Sequence, residues 1–172
     1  KITWVFSQFM KKITLLFAAF CMLCTIYAQA EMGKWNTHLV YNTTNKVVVT
    51  PTKVFALADG HVYSMHKQTK EVETYTKVDG WSDNKVADLS YNQQVTTLVC
   101  AYTNANIDLI EADGTVFNIP DLMQKNWAVD KTIYQIYNEG NLAYLACGFG
   151  VLVLDLEKKE IKDTYIIGPG AQ

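Results

Sequence analysis

From residue 46 onward, apolar residues gather in short runs separated by polar or glycine-bearing segments. Runs of about four residues, rich in β-branched and aromatic side chains and bounded by turn residues, read as strands. Three of them align. Val62–Met65, Ile107–Ile110 and Val151–Leu154 start 45 and 44 residues apart. The preceding runs, Val54–Leu57, Leu98–Ala101 and Leu142–Leu145, start 44 and 44 apart. The following runs, Val72–Tyr75, Val116–Ile119 and Ile161–Thr164, start 44 and 45 apart. A leading strand completes each unit: Lys46–Thr50, Val86–Tyr91 and Ile133–Tyr137. Four short strands in roughly 45 residues is the period of a β-propeller blade. The pattern predicts an all-β chain, a partial β-propeller of about three four-stranded antiparallel blades over residues 46–77, 85–120 and 132–165.

Turn residues fall where blades need them. Asp59-Gly60, Asp113-Gly114 and Glu139-Gly140 separate strand runs, and Asp79-Gly80 lies between units. Glycine there supplies the positive φ of tight turns. Pro51, Pro120 and Pro169 sit at run edges and leave the strands unbroken. The run Leu142–Leu154 is almost wholly apolar, as expected of a blade buried on both faces by its neighbours. On the 44-residue alignment, Cys147 matches Thr103 and Cys100 matches Tyr144. That sets the two thiols three positions out of register on opposite faces, so buried free cysteines are expected instead of a disulfide.

The first thirty residues read differently. Met10-Lys11-Lys12, the apolar run Ile13–Leu23 and the small-residue pattern Ala28-Gln29-Ala30 form a secretory signal over residues 10–30, with cleavage between Ala30 and Glu31. Residues 1–9 read as an upstream, non-native extension, and 31–172 as the propeller fragment. The apolar run is too short to span a bilayer, which takes about 20 residues. Three blades cannot close a ring of at least about four. A longer parent chain is therefore expected, with Ile166–Gly170 starting a fourth unit. A three-blade piece with open apolar faces is not expected to fold alone.

Charge narrows the partners. All fifteen basic residues are lysine, and from Glu31 on twelve lysines face seventeen acidic groups, a formal charge of −5. Without arginine forks and with an acidic balance, nucleic-acid binding is not expected. No cofactor is expected either. His38, His61 and His66 lack metal-ligand spacing, since His61 and His66 would face opposite ways on one strand. Asp79, Asp83 and Asp88 lack the glycine and terminal glutamate of a calcium loop. Ser64, Ser82 and Ser90 have no nucleophile-elbow context. Glu71 and Glu73 could pair as glycosidase carboxylates, but a solvated strand beside Lys70 and Lys77 explains them. No catalytic or metal site is expected. The binding candidates are Trp81, in the first inter-unit connection, and Trp127, in the second. Tryptophan in such loops serves as a stacking or hot-spot residue, or as a wedge between blades.

The stretch Asp79-Gly80-Trp81-Ser82-Asp83-Asn84-Lys85-Val86, followed by Asp88-Leu89-Ser90-Tyr91-Asn92, resembles two-component-regulator propeller repeats, with Trp81 where leucine is usual. Across the mature chain, Trp35–Tyr41, Val54–Leu57, Asn104–Ile110 and Ala143–Gly150 resemble the N-terminal propeller of the PorZ-type family of the Bacteroidetes type IX secretion system. The resemblance implies a non-catalytic docking propeller in the periplasm or on the outer surface of a Gram-negative cell. It would aid cargo processing and attachment to anionic lipopolysaccharide, with surface secretion proteins such as the sortase, or the glycolipid itself, as partners. The alternatives are the periplasmic sensor propeller of a hybrid two-component histidine kinase and an exported propeller lyase or glycosidase.

Overall fold

The computed structural model describes residues 42–167, together with Ile13. The rest of the expected leader, its Ala30/Glu31 junction, residues 1–9, His38, Trp35–Tyr41 and the chain from Gly168 lie outside the described residues. All described residues except Ile13 belong to the compact unit Leu39–Gln172.

Among the described residues, twelve strands form three four-stranded antiparallel sheets, each a meander in chain order. The first blade holds β1 (Thr44–Val49), β2 (Lys53–Ala58), β3 (His61–His66) and β4 (Val72–Tyr75). The second holds β5 (Val86–Asn92), β6 (Thr97–Tyr102), β7 (Ile107–Ile110) and β8 (Val116–Ile119). The third holds β9 (Ile133–Glu139), β10 (Leu142–Cys147), β11 (Gly150–Asp155) and β12 (Glu160–Ile166). The all-β, partial-propeller expectation is met. Asp59 and Gly60 take φ of 51° and 82° between β2 and β3, the mirror-image turn whose twist matches the flanking strands. A 3-10 turn at Lys77–Asp79 occupies the first inter-blade connection, and a single helical turn, α1 (Asp121–Gln124), the second. No helix among the described residues is long and apolar enough to cross a membrane.

Each blade carries a bulge near the start of its first strand. The register slips between Thr44 and Lys46, between Val86 and Asp88, and between Ile133 and Gln135. These bulges fix which residues correspond. Thr44, Val86 and Ile133 pair with Ala58, Tyr102 and Cys147. The second strand of the third blade is therefore displaced 45 residues from that of the second, not 44. Cys147 corresponds to Tyr102, not Thr103, and Cys100 to Leu145, not Tyr144. A one-residue slip exchanges faces, so both cysteines point back toward the preceding blade. They stay apart because they serve different interfaces: Cys100 packs between the first and second blades, Cys147 between the second and third. Both are buried free thiols, as expected, for a different reason.

Two apolar clusters fill the two blade interfaces. The first strands of the three blades lie beside one another, joined by Asp88, which is 4% exposed. Its carboxylate takes Lys46 Nζ of β1 at 2.6 Å and the Ile136 backbone N–H of β9 at 2.7 Å. One buried carboxylate thus ties all three blades together. Its desolvation is offset by a cation and a backbone donor, the condition under which a buried charge is tolerated.

Candidate functional site

A recess of about 540 Å³ opens between the first and second blades. Strand alternation builds one wall. Phe55, Ser64 and Glu73 stand in one cross-strand row, and Leu57, Val62 and Tyr75 in the next. Together with Lys53, these side chains share the face of the first blade that meets the second. The opposite wall is Tyr91, Leu98 and Ile110 of the second blade. The β1–β2 turn at Thr50–Thr52 and the β7–β8 turn at Glu111–Gly114 bound the opening.

The polar groups of the first wall bind one another. Lys53 Nζ lies 2.6 Å from Glu73 Oε2 and 3.1 Å from the Tyr75 hydroxyl. Tyr75 donates to Glu73 Oε2 at 2.9 Å and shares a 2.8 Å hydrogen bond with Ser64 Oγ. Partial burial works against the Lys53 cation, but its bonds to Glu73 and Tyr75 outweigh that and raise its pKa. The bonds from Lys53 and Tyr75 hold Glu73 below the usual carboxylate range. Burial raises the Tyr75 hydroxyl. At neutral pH the cluster is a closed ammonium–carboxylate–phenol set with no group poised as a nucleophile or base.

Aromatic rings supply the depth. Trp81 stacks on Tyr75 with centroids 4.9 Å apart and planes 24° apart, and Phe55 lies 5.6 Å from Tyr75. The Trp81 loop is anchored from below. The Ser82 N–H donates to Asp108 Oδ2 at 2.8 Å, and the Tyr102 hydroxyl donates to the same oxygen at 2.6 Å. Asn118 Nδ2 donates to Asp108 Oδ1 at 2.8 Å. Burial pushes the Tyr102 hydroxyl and the neighbouring Cys100 thiol far up, so both stay protonated.

Both sequence candidates act in blade interfaces. Trp81 is only 5% exposed; its ring is a wedge that also lines the recess. Trp127 is half-buried against Phe149, centroids 5.0 Å apart, with Lys125 Nζ 4.4 Å above it. The two belong to different interfaces and do not converge on one site. His61 and His66 occupy opposite ends of β3. Asp79 caps the 3-10 turn, Asp83 pairs with Lys77, and Asp88 joins the first strands. Glu71 binds Thr69 while Glu73 binds Lys53. Among the described residues no His, Cys, Asp or Glu cluster could hold a metal ion.

Sequence reading missed Lys53, Tyr75, Glu111 and Asp113. The repeat held a signal for the first two. Lys53, Ser64, Glu73 and Tyr75 occupy the register positions that Thr97, Leu109, Phe117 and Ile119 fill in the second blade. Polar residues in columns that are mostly apolar one blade later mark a place where the fold needs no polar group.

Known proteins bear on the identity of this scaffold. None of the curated proteins matches the chain. Among solved structures, PorZ of Porphyromonas gingivalis superposes with a TM-score of 0.72 at 41% identity, covering 77% of this chain and 18% of that one. That protein is described as an essential bacterial surface component of the type IX secretion system. The extracellular domain of a hybrid two-component system from B. thetaiotaomicron superposes at 0.60, with 10% identity, 82% of this chain and 18% of its own. A second such domain from the same organism gives 0.57, 15%, 84% and 21%. At these identities the two extracellular domains share the fold alone. The chain thus spans about a fifth of the length of the solved proteins it resembles. The family described as the type IX secretion system PorZ N-terminal β-propeller domain matches residues 54–172, and the chain belongs to that family.

Proposed function

We propose that this propeller segment is a non-catalytic docking module of an exported type IX secretion accessory protein. On this reading it sits on the envelope side of a Gram-negative cell and holds secretion-system surface proteins, the sortase among them, or anionic lipopolysaccharide, while cargo is processed and attached. The observation that carries the reading is the family match over residues 54–172, joined to 41% identity with PorZ of P. gingivalis. The chemistry of the recess agrees with a docking role. Its lysine, glutamate and tyrosine are bound to one another, an arrangement that shapes a surface better than it drives a reaction.

The test uses the full-length parent protein, affinity-tagged in its own bacterium. Envelope extracts should yield the sortase or anionic lipopolysaccharide with the tagged protein, and deletion of the gene should leave cargo unprocessed inside the cell. Normal cargo attachment after deletion, or a kinase module downstream of these blades, would overturn the proposal.

A further inference from the structure

The recess between the first and second blades has a charge and shape that select among occupants. Its lining carries one ammonium, Lys53, against four carboxylates, Glu73, Asp79, Glu111 and Asp113. Lys53 is already bound to Glu73 and Tyr75, so it offers little to an incoming anion. A phosphate or carboxylate placed here would meet Glu111 and Asp113 at the opening, and like charges at short range repel. Glu111 shares its charge with Lys159 at 2.5 Å, while Asp113 is exposed. The aromatic wall favours the opposite sign. Tyr75 already holds Lys53 Nζ 5.7 Å from its ring centroid, and Trp81 stacks behind it. Aromatic faces attract cations, most strongly where carboxylates stand nearby and water is partly excluded.

The recess is not an unavoidable gap of the repeat. The matching positions one blade later hold Leu109, Phe117 and Ile119, of which Leu109 and Ile119 are buried in the second apolar cluster. Its volume of about 540 Å³ lies within the range of small-ligand sites. It admits a few side chains and not a folded domain. A neutral sugar could stack on the rings but would make no use of the carboxylate excess.

We propose that this recess seats a lysine or arginine side chain presented by an extended segment of a partner protein, its cation toward the Tyr75 ring that Trp81 backs and within the field of Glu111 and Asp113. The inference rests on the docking reading and names the kind of partner this one recess takes; an anionic glycolipid would bind elsewhere on the parent protein.

The experiment titrates full-length parent protein with three probes: a blocked Gly-Lys-Lys-Gly peptide, a blocked Gly-Glu-Glu-Gly peptide and maltohexaose. Saturable binding of the lysine peptide alone is expected. The double variant Glu111→Gln/Asp113→Asn, which keeps size and hydrogen-bonding capacity, should weaken it about five- to tenfold, and added salt should weaken it further. No saturable binding of the lysine peptide, equal binding by the double variant, or preference for the acidic peptide or the oligosaccharide would each overturn the inference. Recovery of sortase or glycolipid with the wild-type protein is scored alongside. If that recovery succeeds while the lysine peptide fails, this inference falls and the docking reading stands. If it fails, the docking reading falls on its own evidence.

Discussion

Between the first and second blades, β4 presents Glu73 and Tyr75 to the neighbouring sheet; between the second and third, the matching strand β8 presents Phe117 and Ile119. Ser64 in the first interface becomes Leu109 in the second. Facing them, the Tyr102–Asp108 pair of the second blade becomes Cys147 and Leu152 in the third. One interface therefore closes on hydrocarbon, and Lys159 of the third blade lies over the Phe117 ring at its edge. The other keeps a polar lining over a hydrogen-bonded base and leaves a recess. The same backbone repeat supports both, which separates what the fold requires from what this chain has placed upon it.

The comparison breaks most sharply where the closed interface is made to imitate the open one. Leu109→Ser puts a hydroxyl where Leu109 is 0% exposed and no polar set surrounds it. The loss of packing and the stranded hydroxyl should cost about 3–5 kcal/mol. The urea midpoint of the full-length protein would show it. A shift no larger than that of an exposed substitution would mean that the second interface is not the tightly packed one.

Asp88 joins both interfaces, so its loss tests whether they act together. Asp88→Ala strands Lys46 Nζ and the Ile136 N–H, and should destabilise by about 2–4 kcal/mol. Lys46→Met alone should cost about as much, because it leaves the Asp88 carboxylate buried without its cation, whereas the partly exposed Lys46 left by Asp88→Ala can turn to water. If the double variant is no worse than Asp88→Ala, the three groups form one unit.

The repeat period and the turn glycines made the blades legible in the sequence, because strand runs and positive-φ turns are local properties. The face of each strand was less legible. The hairpin between the second and third strands is one residue longer in the second blade, where Ala101 pairs with Ile107, than in the third, where Ala146 pairs with Val151, and that shifts the register without changing the apolar pattern. The cysteine register was misread for that reason. The recess was illegible as a site because its walls come from residues as far apart as Thr50 and Gly114, brought together by sheet packing. Trp81 drew notice as a loop aromatic, yet the Ser82–Asp108 bond that folds it inward spans 26 residues. Glu73 was read as a solvated strand carboxylate, and it does remain exposed. Its bond to Lys53 depends on a strand pairing that spacing alone did not reveal.

The smallest effect lies in that bond and comes with a sign. Glu73 is held below its ordinary value of 4.5, so its pairing adds stability that is fully present above that pH and fades as the pH falls through the lower folded value. Lys53 is raised above 10.5, so its share is present below that pH and fades as the pH climbs through the higher folded value. The pair thus acts across the whole neutral range and weakens only at the acid and alkaline extremes. With the Glu73 side chain 49% exposed, solvent screening keeps the contribution under about 1 kcal/mol. Glu73→Gln should lower the midpoint slightly at pH 7, and the gap from wild type should close as the pH falls through the lowered folded value and the wild-type carboxylate takes up its proton. A gap that persists unchanged in acid would assign the effect to packing against Tyr75 and remove the ion pair from the account of why this interface stays open.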